Sequence, residues 1–341
     1  MLQLSWTLCA FAAVVSSAFA SPARTLGLGR RADSPPDGAL VVGGDGDYST
    51  VQAAVDALPD DDTDQIIFIY AGTYNEQVYI DRSGFTTIQG ETSDASSYTG
   101  NTVTITQATS AGEVSNNDET ATLRVHTDKF ALYNVNLVNS FGQASSDGQA
   151  LALSAYGSSA YYGVSFVSWQ DTVLAQSGVQ FYGSSYIEGA TDYIFGQDAC
   201  AFFHKCTIAS AGAGYITANG RESSDGDSIY VINESNIITA DSASDDLSGK
   251  VYLGRPWREY ARVVFTSNTL GNLINSEGWR IWNSGDERTD NVLFAEYASS
   301  GDGANDDGRA DFATILSSAS GYSISDILGS DYADWVDASY I

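Results

Sequence analysis

Short runs of β-branched and aromatic residues fill most of this chain and are separated by clusters of Gly, Asn, Ser and Asp. Such a pattern is typical of strands joined by turns, and helical periodicity is rare along it. The exception is Tyr48–Leu58, where apolar residues recur on one helical face and Pro59 follows directly, which predicts a short N-terminal helix. The apolar run Gln65–Tyr70 predicts a buried strand soon after it.

A loose repeat runs through the chain from this strand onward. Its mark is a polar residue followed by an apolar one, with an aromatic residue a few positions earlier. The apolar marks are separated by 21 to 33 residues and comprise Leu137, Phe166, Ile187, Ile208, Ile237 and Leu270. These spacings are too long for hairpins, and the sequence lacks the 3.6-residue periodicity that a solenoid of helix pairs would show. The sequence therefore predicts an all-β fold, a right-handed parallel β-helix forming a single-stranded solenoid, with a β-sandwich as the alternative.

The C-terminal part departs from the repeat. Phe312–Leu316 and Ile324–Leu328 have the pattern of short helices, and the following segment Asp331–Ile341 is rich in aromatic and aliphatic residues. A segment of that composition is expected to bury its rings, because removing apolar surface from water is favourable. The tail is therefore predicted to pack back onto the coils.

The N-terminus carries the pattern of a secretory signal. An apolar stretch over residues 8–15 is followed by the small-residue pattern of a cleavage site at 18–20. We therefore predict a signal peptide over 1–20, a pro-segment ending in a dibasic pair over 21–31, and the folded domain over 40–341. Because the apolar stretch is too short to span a bilayer, we expect a secreted, extracellular protein without a membrane anchor.

Composition narrows the function further. The chain has 341 residues, of which 43 are acidic and 15 basic, so a nucleic-acid partner is not expected because nothing would neutralise the phosphates. Secretion would permit a disulfide between Cys200 and Cys206, but six extended residues span roughly 20 Å, so we expect two thiols. The only N-glycosylation sequon begins at Asn233 and fits a secreted glycoprotein.

Two aspartates have equivalent places in the repeat. Asp171 lies five residues after Phe166, and Asp192 lies five residues after Ile187. If adjacent coils stack in register, the two carboxylates lie one strand spacing apart, on the order of 5 Å. Like charges that close cannot both ionise easily, so one carboxyl group would stay protonated as an acid while the other attacks. Polar decoration of the surface, or a bound Ca²⁺ ion, is the alternative interpretation of the pair.

Five sequence blocks resemble the pectin methylesterase (pectinesterase) family, in the style of its secreted fungal members. In chain order they are Gly72-Thr73-Tyr74-Asn75-Glu76, Gly148-Gln149-Ala150-Leu151-Ala152-Leu153, Gln170-Asp171-Thr172, Gly189-Ala190-Thr191-Asp192-Tyr193-Ile194-Phe195-Gly196 and Leu253-Gly254-Arg255-Pro256-Trp257. Their order and spacing match the family over residues 40–341. The resemblance implies a parallel β-helix enzyme that hydrolyses methyl esters of galacturonate residues in pectin, releasing methanol and pectate.

The resemblance also assigns roles to residues at the matching positions. Asp192 falls at the family's nucleophile, and Asp171 falls at its general acid and base. Gln149 and Gln170 fall at the glutamines of the oxyanion hole, which hold developing negative charge. Arg255 falls at the arginine that orients the nucleophile, a role that suits its rigid and permanently charged fork.

Four further positions are expected to contact the substrate. Trp257 falls at an aromatic residue that lines the family's sugar-binding cleft. Tyr193 and Phe195 follow the nucleophile closely and are predicted to form walls of that cleft. Arg221 is a candidate for binding a galacturonate carboxylate, although its surroundings depart from the family pattern, with Asn219 where the family commonly has Gln.

The resemblance implies no cofactor and no metal ion, pectin as the partner, and a monomer. The chain contains no Gly-x-Ser-x-Gly elbow, and His126 and His204 lie outside the matching blocks, so a serine esterase is not favoured. Two alternatives stay open: a backbone-cleaving pectin lyase or polygalacturonase-like enzyme on the same fold, and a non-catalytic β-helix that binds cell walls. Methanol release from pectin would distinguish the esterase from both.

Overall fold

The computed structural model describes residues 32–341 and places most of their regular structure in short parallel strands. The first twelve strands in chain order are β1 Leu40–Val42, β2 Gln65–Ile69, β3 Gly72–Asn75, β4 Val78–Ile80, β5 Thr86–Gly90, β6 Val103–Gln107, β7 Leu123–Val125, β8 Phe130–Tyr133, β9 Val135–Asn139, β10 Leu153–Tyr156, β11 Ser159–Tyr162 and β12 Ser165–Val167. They are followed by β13 Val173–Ser177, β14 Val179–Gly183, β15 Tyr186–Gly196, β16 Cys200–His204, β17 Thr207–Asn219, β18 Ile229–Asn233, β19 Asn236–Thr239, β20 Val251–Gly254, β21 Arg262–Thr266, β22 Thr269–Leu270, β23 Leu293–Tyr297 and β24 Ala313–Ile315. The α-helices are α1 Val51–Asp56 and α2 Ile324–Leu328, and 3-10 helices lie at Tyr98–Gly100, Asn117–Thr120, Tyr332–Asp334 and Ala338–Tyr340.

These strands stack into three parallel sheets, one for each side of a coil. Sheet 1 has the order β1-β2-β5-β8-β11-β14-β16-β18-β21-β23-β24. Sheet 2 runs β3-β6-β9-β12, continues through the first parts of β15 and β17, and ends with β19 and β22. Sheet 3 runs β4-β7-β10-β13 and continues through the second parts of β15 and β17 to β20. The chain visits the sheets in turn, so the fold is the predicted right-handed parallel β-helix.

The six apolar marks of the repeat form one continuous ladder inside the coils. Each is fully buried and pairs in register with the next mark along sheet 2, from Leu137 beside Phe166 to Ile237 beside Leu270. Burying one such side chain contributes about 1.5–3 kcal/mol. The predicted repeat is therefore confirmed, and its uneven spacing has a simple reason: the extra residues leave the coils as loops without changing the register.

Helix α1 packs against the first strands at the N-terminal end of the coils. It is shorter than the predicted Tyr48–Leu58 because Thr50 caps its first turn with a side-chain hydrogen bond, and helical geometry ends before Pro59. Val51 and Ala54 are fully buried. The helix thereby covers the first layer of the core, which would otherwise be an exposed apolar edge. The strand predicted after it is present as β2.

The helix predicted over Phe312–Leu316 is wrong, because this segment contains strand β24. Ala313–Ile315 pairs in parallel with Phe294–Glu296 of β23. The edge of sheet 1 offers unpaired backbone groups at this point, and satisfying them outweighs a weak local helix preference. Helix α2 is present as predicted, and a capping box between Ser323 and Asp326 closes its N-terminus.

The aromatic tail packs on the outer face of sheet 1, as predicted. Tyr340 is only 3% exposed, and its ring lies 4.9 Å from that of Tyr162 and 6.2 Å from that of Tyr133. Its hydroxyl donates a hydrogen bond to the Ala95 carbonyl, and the backbone N–H of Asp337 donates to the Tyr162 hydroxyl at 2.9 Å. The tail is thus fixed across adjacent coils.

The described residues also include the two cysteines and the two histidines considered above. Cys200 and Cys206 are buried thiols that no disulfide joins, as expected. His126 contacts the Asp118 carboxylate at 3.0 Å and His204 contacts the Asn233 amide oxygen at 2.8 Å, so both have structural partners. Across residues 32–341, none of the helices has the length and apolar character needed to cross a membrane. The predicted signal peptide and pro-segment lie outside the described residues.

Candidate active site

The candidate site lies where the coils turn from sheet 2 into sheet 3. Asp171 occupies the connection between β12 and β13, and Asp192 lies within β15, where this long strand passes from one sheet to the other. Both residues adopt left-handed backbone geometry, with φ angles of 63° and 52°. Asp tolerates this geometry better than most residues do. The same bend on adjacent coils therefore presents both side chains.

Backbone hydrogen bonds fix how these positions stack. The Asp171 N–H donates to the Thr191 carbonyl at 3.1 Å, and one coil earlier the Ala150 N–H donates to the Gln170 carbonyl at the same distance. Gln170 and Thr191 also form a parallel bridge. Asp192 therefore occupies the position next to Asp171 on the following coil, in the equivalence that the repeat predicts.

Burial raises the pKa of both carboxyl groups, and Arg255 makes their proton affinities different. Each aspartate has only 7% of its surface exposed. Loss of hydration raises the pKa of Asp171 well above its usual range, and the neighbouring charge of Asp192 raises it further. Burial also raises the pKa of Asp192, but hydrogen bonds and charge from Arg255 oppose this rise. The proton of the pair therefore resides on Asp171, and Asp192 is the carboxylate.

Arg255 forms a fork around the Asp192 carboxylate. Its Nε donates to Oδ1 at 2.9 Å and its Nη2 donates to Oδ2 at 2.7 Å. The residue follows β20, and its backbone N–H donates to the Thr217 carbonyl at 3.0 Å, which anchors it to the preceding coil. A bidentate pair of this kind orients the carboxylate and favours its charged form. Each carboxylate oxygen keeps a further lone pair with which it can attack.

Gln149 and Gln170 occupy equivalent positions on adjacent coils, and Gln170 directly precedes Asp171. The Gln170 side chain opposes the rise in the pKa of Asp171, and a Cβ placed on Gly148 would lie only 3.3 Å from the Gln170 Oε1. Gln149 is held through its carbonyl, which accepts a hydrogen bond from the Ala111 N–H at 2.9 Å, while its side chain is half-buried. Side-chain amides next to a buried carboxylate are suitable donors for an oxyanion hole.

An apolar surface borders these polar groups on the outer face of sheet 3. Phe195 pairs in register with Leu174 on one side and Ala218 on the other, and all three belong to a small buried cluster. The half-buried Trp257 packs on this cluster, with its ring 6.0 Å from that of Phe195. The ring of Trp257 is exposed enough to suit the apolar face of a sugar ring. Phe195 is only 4% exposed, so it supports Trp257 from beneath and the prediction that it forms a wall of the cleft is wrong.

Two other predicted substrate contacts are also wrong. Tyr193 is fully buried inside the coil, and its hydroxyl lies 2.9 Å from the Ser210 hydroxyl, because the bend at Asp192 turns the next side chain into the core. Arg221 is 8% exposed, and its guanidinium donates to three backbone carbonyls at 2.6–3.2 Å. It therefore holds the loop after β17 together rather than facing a ligand.

Three residues that contact these groups were not found from the sequence. The Asn117 amide donates to Asp171 Oδ2 at 3.4 Å, across 54 positions of the chain. The rings of Tyr215 and Trp282 lie 4.1 Å and 4.2 Å from the guanidinium carbon of Arg255. None of the three lies in a block that resembles the family, so no local pattern indicates these contacts.

Fold and site together define a class of protein. A carboxylate held by an arginine fork, a second buried carboxyl group on the adjacent coil and neighbouring side-chain amides are groups with which a hydrolase can act on an ester.

Comparisons with known proteins identify the family. The Pectinesterase family model matches residues 39–330. A pectinesterase of Aspergillus niger is 48% identical over 313 residues, which cover 90% of this chain and 93% of that protein. The crystal structure of a pectin methylesterase from Aspergillus niger has a TM-score of 0.85 at 40% identity, covering 91% of this chain and 100% of that one. A pectin methylesterase from carrot has a TM-score of 0.80 at 29% identity, covering 91% and 98%.

The chain therefore belongs to the pectinesterase family, and it is a carboxylic ester hydrolase. This confirms the resemblance found in the five sequence blocks.

Proposed function

We propose that this chain hydrolyses methyl esters of galacturonate residues in pectin, with Asp192 as nucleophile and Asp171 as general acid and base. The observation that carries the proposal is the asymmetry of the pair. Two buried carboxyl groups occupy equivalent positions on adjacent coils, yet only Asp192 is held by the arginine fork. One group is thereby prepared to attack and the other to donate a proton.

The first half of the reaction forms a covalent intermediate. An Asp192 oxygen attacks the C6 carbonyl carbon, and the electrons of the carbonyl double bond move to its oxygen. The side-chain amides of Gln149 and Gln170 donate hydrogen bonds to this oxyanion. Losing one such donor typically lowers the rate roughly 10²- to 10³-fold. When the carbonyl re-forms, the C–OCH₃ bond breaks and methoxide takes the Asp171 proton, so methanol leaves and a mixed anhydride stays on Asp192.

The second half restores both aspartates. Asp171, now a carboxylate, takes a proton from water while the water oxygen attacks the C6 carbon of the anhydride. The bond from C6 to Asp192 breaks, and its electrons return to Asp192 as the carboxylate. The product carboxyl group then loses its proton to solvent. One water is consumed and one methanol released in each cycle.

The apolar surface next to the site supports the choice of a carbohydrate ester. Trp257 and Phe195 form its aromatic part. Phe195 follows Asp192 by three residues in β15, and Trp257 follows Arg255 by two. We propose that a sugar ring packs on Trp257 while its C6 ester reaches Asp192. Phe195 lies beneath Trp257 and keeps the indole in place.

The deciding measurement is methanol release from highly methylated pectin in the presence of a chelator, with viscosity followed in the same sample. We expect methanol without a fall in viscosity. Asp192→Asn should lower kcat about 10³-fold or more, and Asp171→Asn about 10²- to 10⁴-fold. Asp290→Asn, at an exposed position, is the matched control. Falling viscosity without methanol would favour a backbone-cleaving enzyme, and full activity of Asp192→Asn would remove the nucleophile assignment.

We also infer that the enzyme is exported and acts as a monomer. Residues 1–20 would direct secretion and residues 21–31 would be removed, so the mature chain would begin at residue 32 and contain the domain over 40–341. N-terminal sequencing of the secreted protein and light scattering test these points. Glycosylation at Asn233 would have to precede folding, because the Asn233 amide donates to the Thr266 hydroxyl at 2.9 Å in the folded chain. A shift in mass after treatment with an endoglycosidase would reveal it.

A further inference from the structure

Two aromatic rings hold Arg255 in addition to Asp192. The guanidinium carbon lies 4.1 Å from the centre of the Tyr215 ring and 4.2 Å from that of Trp282. Both distances are well inside the roughly 6 Å over which a cation is attracted to the face of a ring. Tyr215 belongs to β17, whereas Trp282 belongs to a loop after β22, so two separate parts of the chain converge on one cation.

Each ring is itself held in place. Tyr215 stacks on Tyr252 with ring centres 5.7 Å apart and an angle of 28° between the planes. Arg288 lies 4.9 Å from the Trp282 ring and donates a hydrogen bond to the Trp257 carbonyl, which links the loop of Trp282 to the edge of the cleft. The two rings are therefore built into the structure around Arg255.

We propose that Tyr215 and Trp282 form a clamp that keeps Arg255 at Asp192 throughout the reaction and prevents it from pairing with Asp171. Both are positioning residues, because they act through Arg255 and not on the reacting atoms. The inference rests on the proposed function, since it takes Asp192 as the nucleophile and Asp171 as the acid and base.

The clamp matters most in the covalent intermediate. Acylation removes the negative charge of Asp192, so the partly buried Arg255 loses its counter-ion. At the same moment Asp171 has given up its proton and carries the nearest negative charge, and these two groups already interact electrostatically in the resting site. A partly buried cation without a partner is costly, so an unrestrained Arg255 would turn to Asp171. The two ring faces attract the cation without carrying charge.

An Arg255 paired with Asp171 would slow the second half of the reaction. The ion pair would stabilise the Asp171 carboxylate and make it a weaker base towards the attacking water. Methanol has already left at that stage. A slow second half therefore produces a burst of methanol equal to the amount of enzyme, followed by slow turnover.

The free enzyme would also change its pH dependence without the clamp. The kcat/KM value requires Asp192 ionised and Asp171 protonated. The charged groups that act on Asp171 are Asp192 and Arg255. A looser Arg255 supports the Asp192 carboxylate less, so the pKa of Asp192 rises, and it approaches Asp171 more, so the pKa of Asp171 falls. The bell-shaped pH profile then narrows from both sides.

The test compares variants that remove a ring face with variants that keep one. Trp282→Leu and Tyr215→Leu remove it, and Trp282→Phe and Tyr215→Phe keep it. Tyr332→Leu is the matched control, because Tyr332 packs in the C-terminal tail on the outer face of sheet 1 and not on the clamp or Arg255. Rapid-quench methanol assays and pH profiles of kcat/KM are measured on the full secreted enzyme. A cation–π contact of about 0.5–2 kcal/mol corresponds to a kcat about 2- to 30-fold lower in the leucine variants. In the leucine variants we expect this lower kcat together with a methanol burst, a narrowed pH profile of kcat/KM and an almost unchanged KM. In the phenylalanine variants we expect kcat and the pH profile to return towards those of the wild type.

Two results would overturn the clamp. A raised KM with unchanged kcat and an unchanged bell would mean that the rings stack on the sugar. The rings would only support the fold if the leucine and phenylalanine variants alike had a lower kcat, no methanol burst and the wild-type pH profile of kcat/KM. Should a leucine variant fail to fold, Trp282→Met or Tyr215→Met replaces it, because methionine also lacks a ring face and must produce the same burst and the same narrowed pH profile. Failure of the proposed function itself is recognised separately, by activity that survives Asp192→Asn.

Discussion

Replacing Arg255 with lysine tests the electrostatic basis of the site. The arginine holds Asp192 through two parallel hydrogen bonds of 2.9 Å and 2.7 Å, and lysine keeps the positive charge but cannot form this fork. One charge-assisted hydrogen bond is lost, and such bonds contribute about 1.5–3 kcal/mol. Because 1.36 kcal/mol is a factor of ten in rate, we expect kcat/KM to fall about 10- to 150-fold.

The loss should be greatest on the acidic side of the pH profile. Burial raises the pKa of Asp192 and the Arg255 fork opposes that rise, so weakening the fork leaves more of the nucleophile protonated at low pH. Methanol release is measured over the acidic and neutral range. Arg280→Lys is the matched control, because Arg280 pairs with Glu277 at 2.9 Å while its side chain is 46% exposed, and such surface pairs contribute little.

Two results would refute this reasoning. An equal loss at every pH would mean that Arg255 acts on the substrate and not on the charge of Asp192. An equal loss in Arg280→Lys would mean that the assay reports general damage to the fold.

Three further predictions follow from the structure. The raised pKa of Asp171 destabilises the folded state at every pH above the carboxyl pKa of the unfolded chain. Asp171→Asn should therefore raise the melting temperature at neutral pH, and this gain should shrink in acid. Equal gains in melting temperature at both pH values would contradict this. Gly220→Ala would place a Cβ 2.5 Å from the Trp257 ring, so KM should rise, whereas Gly72→Ala, with its nearest contact at 3.5 Å, should leave KM unchanged. Tyr340→Ala removes a buried ring and should cost about 3 kcal/mol in urea unfolding without lowering kcat.

The sequence by itself determined the fold class and the stacking of Asp171 on Asp192. The ladder from Leu137 to Leu270 could be found in advance because every coil must bury an apolar side chain at the same place, and this requirement repeats along the chain. The equivalence of Asp171 and Asp192 follows from the same repeat, since residues at equal distances from stacked positions also stack.

The local sequence pattern gave wrong predictions where the environment of a residue depended on distant parts of the chain. Tyr193 follows Asp192 directly, yet the left-handed bend at Asp192 turns it inwards. Arg221 carries a charge that suits a ligand, but loop carbonyls occupy its guanidinium. The segment Ala313–Ile315 became a strand because the neighbouring sheet edge had unpaired backbone groups.

The surroundings of Arg255 were decided only by the tertiary structure. Tyr215 and Trp282 lie on different coils and in different kinds of segment, and only the stacking of the solenoid and the path of one loop bring both rings to the guanidinium. Periodicity can predict what stacks on what, because one physical rule repeats at every coil. Loops between strands obey no such rule, so the contacts that they make with the site depend on how the whole chain packs.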